Sequence, residues 1–164
     1  MDDNQNIETI ISNEINSLDS RKFLLAFSGG VDSIVLLDLL TNLVKESDQL
    51  RVIHINHNLN EYSDDWAQFS SEVCVKYDLP LINASVKPKR QGKGLEADAR
   101  ALRYQSFREI IQDNEYLLTG HHQDDQMETL LYRIFRGTGI DGLRAIRRKT
   151  KFGRGFLYRP MLNV

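Results

Sequence analysis

Ser28-Gly29-Gly30-Val31-Asp32-Ser33 joins an apolar run, Phe23 to Phe27, to a segment of helical spacing. Those residue types at such a junction suit an anion. Two glycines let the backbone approach a phosphate closely with N–H groups turned toward it, and the helix that follows adds its positive end. Ser28 and Ser33 can donate hydroxyls to phosphate oxygens. Asp32 would repel a bare phosphate, but it makes sense as a holder of Mg²⁺ bound to the phosphates. Neither the Walker pattern nor GxGxxG occurs, and no lysine follows the glycines to reach a terminal phosphate. Chemistry at the α-phosphate is therefore better supported than γ-phosphoryl transfer. A bare Ser-Gly-Gly would read as a tight strand-to-helix turn; the full hexapeptide in this setting favours the phosphate cradle.

A second group of polar residues is Thr119-Gly120-His121-His122-Gln123-Asp124-Asp125-Gln126-Met127-Glu128-Thr129. On a helix starting here, Asp125 and Glu128 are three apart and Asp124 and Glu128 four apart, so both pairs converge on one side. Capping and the helix dipole account for one acid. They do not account for two histidines beside three acids, and a cation, Mg²⁺ or a substrate ammonium, is the missing partner. Upstream, Glu96, Arg100 and Arg103 share a helix face. Paired arginines suit phosphate, although an ion-paired solvent face is the plain alternative. His54-Ile55-Asn56-His57 closes a β-branched run, where a histidine is equally a polar strand-end residue.

The elements that must position these residues alternate. Apolar spacing predicts a helix over 4–17, a strand at Phe23–Phe27, a helix from Asp32 to Glu46 and a strand at Arg51–His57. Helix Tyr62–Tyr77, strand Leu79–Ser85, helix Leu95–Asp113, strand Glu115–Gly120, helix Gln123–Arg136 and a last strand at Gly155–Arg159 follow. Residues 137–155, rich in glycine and basic residues, read as turns plus a hairpin. The order implies a doubly wound α/β domain with a mainly parallel five-stranded sheet and helices on both faces. Ligands of such sheets bind beyond the carboxyl ends of the strands, here the loops after Phe27, Ile55, Ile82 and Thr119.

At 164 residues the chain fits one domain, 1–164. No apolar run approaches the roughly 20 residues of a membrane span, and the acidic N-terminus excludes a typical signal peptide. We expect a cytoplasmic protein with no membrane partner. Cys74 is the single cysteine, so neither an internal disulfide nor a CxxC site exists within the chain, and its apolar helical setting reads as core. The net charge of −2 hides an asymmetry: residues 1–132 balance at −10 and residues 133–164 at +8. The basic segment can attract polyanions, although a solvated face is the plain reading of charge alone.

The SGGxDS hexapeptide resembles the signature of the N-type ATP pyrophosphatases, which cleave ATP to AMP and pyrophosphate while adenylating a substrate. HINH, EADARALRY, TGHHQDDQMETLLYRIFRGTG and Tyr158-Arg159-Pro160, in order and spacing, resemble the tRNA(Ile)-lysidine synthetases from about Phe23 to Leu162. The related tRNA thiolation enzymes need cysteine pairs, which this chain lacks. The resemblance implies an adenine nucleotide alpha-hydrolase-like fold, ATP and Mg²⁺, free lysine, and a tRNA(Ile) with a CAU anticodon whose wobble cytidine becomes lysidine. It implies catalytic roles for Asp32, Asp125, Glu128, Arg100 and His121. ATP contacts would come from Ser28, Gly29, Gly30, Val31, Asp32, Ser33, His54, Ile55 and Arg103, and Mg²⁺ contacts from Asp32 and Asp124. For tRNA it points to Lys87, Lys89, Arg90, Lys93, Arg133, Arg136, Arg144, Arg147 and Arg148. Such enzymes continue past the Arg-Pro motif into C-terminal tRNA-gripping domains, so a shorter fragment is expected here. A homodimer is compatible with the sequence, which does not set the oligomeric state. Another adenylating enzyme and a non-catalytic nucleotide binder are the competing readings.

Overall fold

The computed structural model describes residues 7–44, 49–56, 63–86, 94–137, 139 and 145–164. In chain order the elements are α1 (Ile7–Asn16), β1 (Phe23–Ala26), α2 (Val31–Leu43), β2 (Leu50–Asn56), α3 (Ser63–Lys76) and β3 (Leu81–Ser85). They continue as α4 (Leu95–Ile110), β4 (Tyr116–Leu118), α5 (Gln123–Phe135), β5 (Lys149–Phe152) and β6 (Gly155–Tyr158). Every element expected from sequence is present, with ends shifted by a few residues. The sheet has six strands rather than five, in the order β3-β2-β1-β4-β6-β5. All neighbours are parallel except β5 and β6, which form an antiparallel hairpin at the edge.

The two-residue period of a strand divides the core into two layers. Phe23 and Leu25 of β1 face one way with Val52, Leu118 and Tyr158, and bury against Ile11 and Ile15 of α1, Leu36 and Leu40 of α2 and Cys74 of α3. Leu24 faces the other way with Ile53, Leu117 and Leu157, covered by Phe107 of α4 and by Ile111. Cys74 is a core residue, 1% exposed, and burial pushes its thiol up to about 11, the reverse of a reactive thiolate. No helix among the described residues is long and apolar enough to cross a membrane.

β1 and β4 are the centre of the sheet, paired through Phe23↔Tyr116, Leu24↔Leu117 and Leu25↔Leu118. The chain winds away from β1 toward β2 and β3 on one side, and toward β6 on the other. This is the topological switch point, and the loops after β1 and β4 open side by side at its carboxyl end. α5 leaves that point without burying any of its residues. Polar links hold it: Gln126 exchanges two hydrogen bonds with the backbone of Ile146, and the Gln123 N–H donates to the Val164 carbonyl.

At the opposite end of β4, Glu115 is 2% exposed. Its carboxylate accepts from Arg51 Nε (3.0 Å), Arg51 Nη2 (2.8 Å) and the Gln112 N–H (2.8 Å). The pair ties β2 to β4 behind β1. Removing Glu115 leaves Arg51 with only the Ile110 carbonyl at 3.4 Å and partial access to water. Glu115→Ala is expected to cost about 3 kcal/mol in urea unfolding; a loss under about 1 kcal/mol would show that Arg51 finds water instead.

Candidate functional site

The loop after β1 is fixed from below. Gly29 has φ +82°, the left-handed region that favours glycine, and a Cβ there would lie 2.7 Å from the Trp66 ring. Trp66 meets Phe69 edge-on at 6.1 Å, and Phe69 stacks on Phe27 at 6.3 Å, so an aromatic column from α3 props the loop. Ser28 Oγ accepts from the Gly30 N–H at 3.3 Å and donates to Ser33 Oγ at 3.2 Å. Ser33 Oγ donates to the Gly30 carbonyl at 2.8 Å. Gly30 opens α2 and supplies no side-chain cap, which leaves first-turn N–H groups of α2 for an anion.

A cavity of about 300 Å³ lies beside this loop. Of the residues expected to touch ATP, Ser28, Asp32, Ser33, His54, Ile55 and Arg103 line it, with His121 and Asp125 at its edge. Gly29, Gly30 and Val31 build the loop and helix start but are not on the lining, and Val31 is largely exposed. His54 is buried, and its Nδ1 lies 3.0 Å from the Phe27 carbonyl. Burial lowers its pKa. The neutral ring then donates from Nδ1 to the carbonyl and keeps Nε2 as an acceptor. Tyr104 and Phe107 add a flat apolar wall suited to a base ring.

A second cavity, about 490 Å³, is lined by residues that include Arg100, His121, Asp125, Glu128, Arg133, Arg147 and Arg159. His121 and Asp125 line both spaces, so the two cavities share an edge. Arg100 and Arg103 flank the Tyr104 ring, at 5.2 and 5.8 Å from its centroid, and reach opposite cavities. His121 Nδ1 is 2.9 Å from Thr119 Oγ1. Burial first, and then Arg159, Arg100 and Arg103, push the His121 pKa down to about 4 against the opposing effect of Asp125. The imidazole is neutral at neutral pH.

His122 begins α5. Its Nδ1 accepts from the Asp124 N–H at 3.3 Å, and the Asp125 carboxylate accepts from the His122 N–H at 2.9 Å, a reciprocal cap. Capping therefore does occupy one acid, Asp125. The His122 ring sits among three carboxylates: Nε2 is 3.8 Å from Asp32 and 3.7 Å from Asp125, and Nδ1 is 4.0 Å from Asp124. The Asp124 side chain is 84% exposed and lines neither cavity.

The basic residues divide. Arg133 turns inward, donating to the Ala145 carbonyl at 3.0 Å, and lines the second cavity. Arg136 is exposed and lies 4.5 Å over the Tyr132 ring; Arg147 is exposed. Arg148 is paired with Glu14 at 2.5 Å, and Glu14 also accepts from Tyr158, which ties α1 to the hairpin. Lys87, Lys89, Arg90, Lys93 and Arg144 lie outside the described residues. Sequence reasoning assigned no role to Tyr104, Phe107, Thr119 or Arg159. The only signal for Arg159 was its place in Tyr158-Arg159-Pro160.

An uncapped glycine loop without a terminal-phosphate lysine, at the switch point of a doubly wound sheet, defines a nucleotide-binding domain of the PP-loop class. The family model of the PP-loop domain matches residues 3–164, and the chain belongs to this ATP-binding family. The chain is 47% identical over 144 residues to a tRNA(Ile)-lysidine synthase of Actinobacillus pleuropneumoniae, covering 88% of this chain and 33% of that protein. It is 41% identical over 158 residues to that of Histophilus somni (93% and 36%). For that of Serratia proteamaculans the figure is 43% over 144 residues (87% and 33%). The chain thus spans about a third of the length of these curated relatives. Among solved structures, a U34-tRNA thiolase of Methanococcus maripaludis with its 4Fe-4S cluster superposes with TM-score 0.70 at 17% identity, over 96% of this chain and 59% of that one. An FMN adenylyltransferase of Candida glabrata in complex with ATP gives 0.53 at 19% identity, over 95% and 49%. At these identities the two structures show a shared fold.

The depressed His121 pKa has a thermodynamic consequence. Unfolded, the ring takes a proton near 6.5; folded, it resists until about 4. Its contribution to stability is therefore complete above about pH 6.5 and is lost as pH falls toward 4. An NMR titration is expected to place the His121 midpoint near 4; a midpoint at or above 6.5 would contradict the burial and the arginine cluster.

Proposed function

We propose that these residues form the nucleotide-activating domain of a tRNA(Ile)-lysidine synthase, which ligates lysine to the wobble cytidine of a CAU-anticodon tRNA at the expense of ATP. The observation that carries this reading is the shared edge at His121 and Asp125. One cavity has the phosphate loop, and the cavity joined to it has acids for an amine. Activation and attack need two such spaces in contact. The likeness to curated lysidine synthases supports the choice of amine and acceptor.

The chemistry runs in two displacements. The cytidine 2-oxygen attacks the α-phosphorus and expels pyrophosphate, which turns a poor leaving group into a good one. The side-chain amine of lysine then attacks C2 and expels AMP. Ser28, Ser33 and the first-turn amides of α2 hold the phosphates. Ile55, Tyr104 and Phe107 hold the base, with His54 Nε2 as an acceptor beside it. Arg103 and Arg100, with the neutral His121 between the cavities, counter charge developing on the α-phosphate. Asp125 and Glu128 receive the lysine ammonium and take its proton before attack.

Asp32 is the residue for Mg²⁺, and Asp124, exposed beside the other ring nitrogen of His122, is the second candidate. Among the described residues no three-ligand metal cluster exists. Mg²⁺ is commonly held by one or two carboxylates together with substrate phosphates, a part that Asp32 suits. When bound, the ion would neutralise phosphate charge and orient the α-phosphate. Arg136, Arg147 and the basic residues of the 87–93 segment supply salt-dependent contacts to RNA phosphates.

Two variants test the assignment. Asp32→Asn is expected to lower AMP release at least about a hundredfold, with an unchanged circular dichroism spectrum. Near-normal release would remove the metal role. Glu128→Gln is expected to raise KM for lysine about tenfold or more while KM for ATP moves far less. Equal losses for both substrates would mark Glu128 as a structural carboxylate.

A further inference from the structure

Trp66 is the chain's single tryptophan, and it keeps 46% of its surface exposed. A tryptophan placed for the core alone is largely buried. The six-membered ring of Trp66 instead fills the place of the side chain that Gly29 lacks: a Cβ on Gly29 would lie 2.7 Å from Cε3 and 3.0 Å from Cζ3. Trp66 does not line the cavity beside the phosphate loop, so it acts on a ligand there only through the loop.

Contacts around the loop close into a ring. The Phe27 N–H donates to the Ile53 carbonyl at 2.9 Å, and His54 Nδ1 lies 3.0 Å from the Phe27 carbonyl, so the end of β1 is stitched to β2. Two residues further along β2, Asn56 Nδ2 donates to Asp64 Oδ1 at 3.1 Å, in the first turn of α3. From there α3 returns to the loop, with Trp66 under Gly29 and Phe69 against Phe27. Ser28, whose hydroxyl meets Ser33 and the Gly30 N–H, stands between two anchored neighbours. The same end of β2 supplies Ile53, His54 and Ile55 to the cavity wall.

Support counts most at Gly29. Glycine has the most conformational freedom to lose, and no side chain of its own holds it at φ +82°. Backbone amides bind an oxyanion best when they are ordered before it arrives. We propose that Trp66 is a positioning residue for the nucleotide phosphates: its ring locks the Gly29 backbone in the anion-binding conformation, and the Asn56–Asp64 bond holds the start of α3, and so the ring, against the end of β2. The inference deepens the nucleotide site and rests on ATP being held at this loop, not on the choice of amine or RNA. Without the ring the ligand itself has to order the loop, and ordering the backbone of one residue weakens binding about five- to thirtyfold.

The test compares Kd for Mg-ATP with Kd for adenosine, which keeps the base and lacks the phosphates, by calorimetry. Trp66→Ala is expected to weaken Mg-ATP about five- to thirtyfold and to leave adenosine nearly unchanged. Trp66→Phe, which keeps a flat ring under Gly29, recovers part of the loss. Asp64→Ala keeps the indole but frees the start of α3, and weakens Mg-ATP in the same selective way by a smaller factor. Asp64 is exposed, so this variant carries the comparison if Trp66→Ala fails to fold. An unchanged Kd for Mg-ATP in Trp66→Ala overturns the proposal. Equal losses for Mg-ATP and adenosine also overturn it, since Trp66 then supports the domain as a whole rather than the phosphate loop. Absence of Mg-ATP binding by the unmutated protein overturns the nucleotide reading itself, and is distinguished from the other failures because it shows before any variant is made.

Discussion

The backbone of Gly120 lies against that of Asp32, so close that a Cβ on Gly120 would sit 3.2 Å from the Asp32 carbonyl carbon and oxygen. This contact brings the loop after β4 against the loop after β1, and everything at the site depends on it. It sets the starts of α2 and α5 side by side, two positive helix ends in one place. Such an arrangement calls for negative charge. Asp32, Asp124 and Asp125 supply part of it around His122, and an anionic ligand on the phosphate loop would supply the rest. The central pairing of β1 with β4 creates the contact, and at the far end of the sheet the Glu115–Arg51 pair links the start of β4 to β2 across β1.

Above this junction the site is built as two spaces that meet along one edge. His121 and Asp125 stand on that edge, and their environments differ. His121 is kept neutral by burial and by the arginines around it. Asp125 is held by the cap of α5. A neutral donor next to a fixed carboxylate, between a phosphate cradle and a cavity of mixed charge, suits successive attack at phosphorus and at carbon. The α-phosphate would lie where both spaces reach it. In this arrangement α5 is a presenting helix rather than a core element. It buries none of its residues and offers Asp125 and Glu128 to the cavity through polar anchors at Gln123, Gln126 and Arg133.

Much of this was legible in the sequence because it depends on local pattern. Phe23–Ala26 and Leu50–Asn56 are apolar because parallel central strands are buried on both faces, and such runs are plain to read. The sixth strand, Lys149–Phe152, was read only as part of a hairpin region. Its Lys-Thr-Lys-Phe is an edge strand, charged on its open side as edges commonly are, and so lacks the apolar signature. The phosphate loop and the acid cluster were found because their residue types are chemically odd for plain turns. Trp66 was not, because its role is steric: it fills the space under Gly29, a contact between residues 37 apart that no spacing rule encodes. Arg159 carried no local sign of being buried with an unused donor; only the packing of β6 beside β4 puts it there.

The central claim is that the first cavity activates an RNA base by adenylation. The most direct measurement follows α-labelled ATP with Mg²⁺, lysine and a CAU-anticodon isoleucine tRNA transcript, leaving out each in turn. AMP formation that requires the tRNA is the result this account predicts. AMP formed at the same rate without tRNA would contradict it and assign the domain to the activation of a small molecule.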